Sequence, residues 1–136
     1  MNLLLLADPS EEAIKKYLNY SRCFLAYVND VVVGVCVLKP IAGGMVELMN
    51  IAVSSSYQQR GIGTQLLRNI IDKVKESGEK GLEVGTGTFG YQLAFYQRQG
   101  FRVKSIDKDF FLKNYPEPIM ENGVQHQDML RLTLEF

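Results

Sequence analysis

The chain has 136 residues, with 15 basic and 15 acidic side chains and a formal net charge of zero. With 46% apolar and 22% charged residues it has the composition of one ordinary globular domain, too short for two cores and too apolar for a disordered chain. It lacks the surplus of Lys and Arg that neutralising nucleic-acid phosphates requires, so no nucleic-acid partner is expected.

Residues 2–7 read as a buried first strand. They carry no basic n-region, and Asp8-Pro9-Ser10-Glu11-Glu12 ends the apolar run too early for a leader or a membrane span. No other stretch approaches a span, so the expected location is cytoplasmic and no membrane partner is expected. Asp8, Pro9 and Glu11 supply an N-cap, a proline at the first helical position and an acid three residues past the cap. Ala13, Ile14, Tyr17 and Leu18 form one stripe, which predicts a helix to about Tyr20.

Residues 22–28 and 31–39 are β-rich, with Asn29-Asp30 between them as a hairpin turn. A two-residue loop pairs positions whose numbers sum to 59, so Cys23 is expected to face Cys36, both thiols buried and reduced. After an Ala42-Gly43-Gly44 turn, Met45–Val53 is a third strand, with Glu47 and Asn50 its conspicuous polar members. From Gly61 the period becomes helical through Ile62, Leu66, Leu67, Ile70, Ile71 and Val74, and Ser77-Gly78 ends the helix. Leu82-Glu83-Val84 is a short strand entering Gly85-Thr86-Gly87-Thr88. A second helix covers about 90–99, with Leu93, Ala94 and Tyr96 inward, and Gly100 closes it. Residues 101–106 are strand, and Met129–Glu135 alternates as the last one. Between them, 107–128 is mixed, with Phe110, Phe111, Tyr115 and His126 among charges: a packed surface loop, a pocket wall, a lid or an interface. The order β-α-β-β-β-α-β-α-β-β predicts a single α/β domain over 1–136 with a mixed central sheet.

The strongest chemical signal is Gln58-Gln59-Arg60-Gly61-Ile62-Gly63-Thr64, between a strand and a helix. Amides of a first helical turn have no intrahelical partner, and the helix dipole adds positive charge there, so such a turn binds phosphate. Glycines let an anion approach the amides, and Arg60 offers a charge-assisted contact. A Walker loop is absent, and Leu66 stands where a Rossmann fingerprint needs a third glycine or alanine. Two cysteines and one histidine give no zinc-ligand spacing, and no carboxylate cluster stands out, so no metal is expected.

Gln58-x-x-Gly61-x-Gly63, after a long strand and before an amphipathic helix, resembles the acetyl-CoA signature of the GNAT N-acetyltransferases. Tyr96-Gln97-Arg98-Gln99-Gly100-Phe101 is similar to that family's Tyr-x-x-x-Gly-Phe. The element order agrees, and the resemblance covers roughly residues 2–135. It implies a single-domain fold with a mixed, mostly antiparallel sheet, splayed central strands and flanking helices. It implies an N-acetyltransferase moving an acetyl group from acetyl-CoA to a primary amine by direct attack in a ternary complex. The alternative is a non-catalytic acyl-CoA sensor of the same fold. By the same resemblance, the loop headed by Gln58 would hold the coenzyme pyrophosphate on the main chain of Gln59, Arg60, Gly61, Ile62, Gly63 and Thr64. The backbone of Ile51, Ala52 and Val53 would pair with the pantetheine arm, and Tyr96 would protonate the leaving thiolate. Glu47, eleven residues before Gln58, has the spacing of the general base in the histone acetyltransferase branch. A carboxylate there takes the proton an ammonium must lose before attack. Alternation puts Glu47 on a face with Met49, Ile51 and Val53. The implied partners are a small-molecule or peptide amine and, from the fold, a homodimer. One feature departs from the pattern: Phe89 stands where relatives carry an asparagine near the pantetheine. Cys23 and Cys36 are not nominated as nucleophiles, and His126 reads as structural or solvated.

Overall fold

The structure, a computed structural model, describes residues 12, 14, 15 and 21–136. The strand expected over residues 2–7 lies outside them. Of the first expected helix, Glu12, Ile14 and Lys15 are described; all are helical and Ile14 is fully buried. Two compact units divide the chain, Met1–Leu82 with Phe136 and Glu83–Glu135.

In the first unit, β1 (Arg22–Val28), β2 (Val31–Pro40) and β3 (Met45–Val53) run as an antiparallel meander. Asn29 and Asp30 both take positive φ, 50° and 66°, as a two-residue type I′ turn demands. The register beyond the turn departs from the sequence expectation. Tyr27 pairs Val32, but Ala26 pairs Gly34, because a bulge inserts Val33 into β2. Cys36 therefore faces Phe24 and Cys23 faces Val37, which turns the two sulfurs to opposite faces. Cys36 is buried, Cys23 is exposed, and both are free thiols. In β2 six consecutive residues, starting at Val33, are buried, as in a strand covered on both faces. The helix α1 (Ile62–Glu76) buries Leu66, Leu67, Ile70 and Val74 and packs on β2 and β3. Each such side chain contributes about 1.5–3 kcal/mol. Ile62 and Ile71 are half-buried on the edge of this stripe. The helix ends at a Ser77 cap, and Gly78 follows with φ +80°.

The strand β4 (Gly81–Gly87) starts in the first unit and continues in the second. It runs three residues past the predicted strand. Gly85 and Gly87 belong to it because neighbouring side chains occupy the space of their missing β-carbons: Met129 and Arg131 at Gly85, His126 at Gly87. The second unit continues with α2 (Tyr91–Arg98), β5 (Arg102–Asp107) and α3 (Phe110–Asn114). A small hairpin, β6 (Met120–Glu121) and β7 (Val124–Gln125), precedes β8 (Met129–Glu135). The mixed stretch 107–128 is thus a short helix and a hairpin. The Phe111 N–H donates to the Gln127 carbonyl, and the Asp109 N–H to an Asp128 carboxylate oxygen. β5 and β8 are antiparallel, with Leu132 and Met129 buried. Among the described residues, six strands form a mixed sheet in the order β1-β2-β3-β4-β8-β5. No described helix is long and apolar enough to cross a membrane.

Candidate active site

In the first unit, β3 alternates as predicted. Val46, Leu48, Asn50 and Ala52 are buried; Glu47, Met49, Ile51 and Val53 share the other, half-buried face. Glu47 is cross-strand partner to Lys39, which puts a cation beside it on the same face of β2 and β3. Ile51 pairs Cys36, Ala52 pairs Val35 and Val53 pairs Gly34, so one edge of this segment is committed to β2.

Beyond β3, a turn at Ser55–Tyr57 leads into the signature loop. The Gln58 side-chain amide donates to the Val53 carbonyl at 2.9 Å, tying the loop to the end of β3. Gln59 and Gly61 both take positive φ, 61° and 77°. The first helical bond of α1 joins the Gln65 N–H to the Gly61 carbonyl. The amides of Ile62, Gly63 and Thr64 precede that bond and lie at the positive end of a 15-residue helix. Its N-cap residue makes no side-chain cap, and among the described residues beyond its own neighbours in the chain nothing lies within 4 Å of where a β-carbon on Gly61 would sit. Arg60 is exposed, its guanidinium 5.2 Å from the Tyr57 ring centre. Gln58, Gln59, Arg60 and Gly61 are exposed and Ile62, Gly63 and Thr64 half-buried, and this donor set fits a pyrophosphate.

In the second unit, α2 carries Tyr96, which is only 4% exposed. Its ring meets Phe95 and Phe101 edge-on at 5.3 and 5.6 Å. The Phe101 N–H donates to the Tyr96 carbonyl, so the Tyr-x-x-x-Gly-Phe run is a folded unit closed by its own aromatic contact. Leu93 and Ala94 are half-buried beside it.

Sequence reading missed one constellation. His126 is buried, 7% exposed, and its Nε2 lies 2.9 Å from Glu121 Oε1. Its ring stacks on Phe89 at 4.1 Å and 8°, and Phe111 approaches at 5.5 Å. The available signal was Asn122-Gly123, a strong two-residue hairpin turn, here with φ 52° and 77°. It makes Glu121 and His126 neighbours across a hairpin. Among the described residues, no group of three or more His, Cys, Asp or Glu could hold a metal ion.

Residues 5–101 match the profile of the Acetyltransferase (GNAT) family. The N-acetyltransferase YvbK of Bacillus subtilis is 46% identical over 136 residues, 99% of this chain and 88% of that protein. A solved GNAT family acetyltransferase from Elizabethkingia anophelis, with acetyl-CoA bound, is 47% identical and superimposes with a TM-score of 0.95, covering 99% of this chain and 89% of that one. An IAA acetyltransferase from Bacillus cereus is 46% identical with a TM-score of 0.94, covering 99% and 91%.

Proposed function

Because this chain belongs to the GNAT acetyltransferase family, we propose that it moves an acetyl group from acetyl-CoA to a primary amine by direct attack in a ternary complex. The observation that carries the reading is the uncapped start of α1, with three free-pointing amides beside the bare Gly61. In this reading all 136 residues serve one N-acetyltransferase domain.

The Ile62, Gly63 and Thr64 amides, with the main chain of Gln59, Arg60 and Gly61, hold the pyrophosphate of acetyl-CoA. Gln58 acts indirectly, by fixing the loop to Val53. The main chain of Ile51, Ala52 and Val53 lines the pantetheine arm. Glu47 takes the proton from the substrate ammonium, directly or through one water. The freed amine nitrogen bonds to the thioester carbonyl carbon, backbone amides stabilise the developing oxyanion, and the C–S bond breaks. Tyr96 gives its phenolic proton to the departing thiolate, and the second proton that the nitrogen sheds on becoming an amide restores the phenol. A carboxylate at position 47 suits a cationic acceptor: a polyamine, an aminoglycoside, or a protein lysine or N-terminus.

Calorimetric titration with acetyl-CoA and release of free thiol across an amine panel test the reading. Glu47→Gln and Tyr96→Phe should each bind acetyl-CoA normally and lose roughly 10²-fold or more in turnover. Full turnover in both variants would remove their assigned roles. Tight binding with no turnover on any amine would make the protein a coenzyme binder, and no heat with acetyl-CoA would reject the site.

A further inference from the structure

The connection from β4 to α2 is held from outside by the β6–β7 hairpin. Two of its residues, Phe89 and Gly90, and the last residue of β4, Gly87, lie against the Glu121–His126 pair. The His126 ring occupies the space over Gly87, and the ring face stacks on Phe89. The Glu121 carboxylate fills the space a β-carbon on Gly90 would need. Gly90 is the N-cap of α2, at φ +105° and ψ 172°, and no side chain of the helix's own first turn caps it. A carboxylate at that end is favoured by the helix dipole. It is supplied across the hairpin and fixed there by the 2.9 Å bond from His126.

The hairpin is itself anchored. The His126 N–H donates to the Ile119 carbonyl at 2.8 Å, and Phe111 packs on the ring's other neighbourhood at 5.5 Å. α2 has only eight residues, about 12 Å of helix. Tyr96 is the sixth of them, so a small tilt at Gly90 moves its hydroxyl by a comparable amount. Tyr96 meets Phe101 on one side, which fixes the far end of the helix; the near end is fixed by Glu121 and His126.

We propose that Glu121 and His126 are positioning residues for the acetyl transfer: together they set the β4–α2 turn and thereby aim Tyr96 at the leaving thiolate. Neither touches substrate in this account. The proposal rests on the role given to Tyr96 above, and it assigns a task to the stretch that the family signatures leave over.

The test is a double-mutant cycle on the full chain, with kcat, KM for acetyl-CoA and Tm measured for each variant. His126→Phe keeps the ring stack and deletes the bond; Glu121→Ala deletes the carboxylate; Glu121→Gln keeps an accepting oxygen. His126→Phe and Glu121→Ala should each lower kcat about 10-fold while KM for acetyl-CoA changes less than about 3-fold. Glu121→Gln should stay within about 3-fold of the parent kcat. In a Tyr96→Phe background, His126→Phe and Glu121→Ala should cost less than about 2-fold, because the group they aim is gone. The same loss in both backgrounds would overturn the proposal, as would a fall in Tm with kcat unchanged. Should His126→Phe not fold, Glu121→Ala, at a site one-third exposed, carries the same cycle. Full turnover in Tyr96→Phe alone would instead overturn the catalytic reading of Tyr96, and this proposal with it, an outcome distinct from an additive cycle.

Discussion

Helices α1 and α2 both follow a strand. Both start from a glycine with positive φ, +77° at Gly61 and +105° at Gly90, and neither has a side-chain hydrogen bond on its N-cap. They differ in what occupies the space beside that glycine. Among the described residues beyond its chain neighbours, nothing lies within 4 Å of a β-carbon position on Gly61, whereas at Gly90 the Glu121 carboxylate stands there. One N-cap glycine has open space beside it; the other has a carboxylate of the same chain there. A carboxylate beside a helix start is placed where the helix dipole favours it.

Four measurements break or sharpen this contrast. The largest effect is expected where the covered start is disturbed. Gly90→Ala puts a β-carbon into the Glu121 carboxylate and forces an alanine to φ +105°, which should cost roughly 3 kcal/mol. At this chain length that lowers Tm by on the order of 10 °C, readable by calorimetry; an unchanged Tm would mean the contact at Gly90 carries no weight. Next, Gly61→Asp gives the open start an internal carboxylate, and aspartate is among the residues that tolerate the left-handed region. Acetyl-CoA affinity should drop about 10- to 100-fold in titration, with the fold intact. Unchanged affinity would move the pyrophosphate elsewhere.

The two cysteines repeat the contrast between a closed and an open position. Burial first, and then the neighbouring Cys23, push the Cys36 thiol from an ordinary 9.0 up to about 12. The folded chain then keeps a proton that the unfolded chain loses, so stability is complete below pH 9 and is lost as pH rises from 9 to about 12. The contribution is at most about 1.4 kcal/mol per pH unit. Urea midpoints from pH 8 to 11 should fall less steeply in Cys36→Val than in the parent. The smallest effect belongs to Arg60, exposed and resting over Tyr57. Arg60→Ala should weaken acetyl-CoA binding about 3-fold at low salt and less at high salt.

Much of this was legible from local pattern. The helical period and Gly78 bound α1 closely, and alternation put Glu47, Ile51 and Val53 on one face of β3. The signature loop could be found because its chemistry is a backbone property that two glycines announce. What escaped depends on distant residues. The bulge at Val33 sits in a run of three valines, Val31, Val32 and Val33, with no alternation to mark which one is extra. Gly85 and Gly87 suggest a loop until Met129, Arg131 and His126, some forty residues on, are seen to fill the space they leave. Asn122-Gly123 did carry a local hairpin signal, but nothing in the sequence says that the hairpin delivers Glu121 to the start of α2.

The position of β8 has a consequence for how the chain reaches its fold. In the second unit the strand order is β4-β8-β5, so the last strand in sequence lies between two earlier ones, and among the described residues β5 pairs with it alone. A chain growing from its N-terminus presents β4 and β5 before the residues that join them exist. Until Met129–Glu135 arrives, β5 lacks the strand it pairs with among the described residues, and Val103 and Ile106 stay bare, as they largely do in the finished fold at 49% and 66% exposure. Arg102 and Lys104 on that strand, and its bulge against β8, then guard an open edge against pairing with other chains.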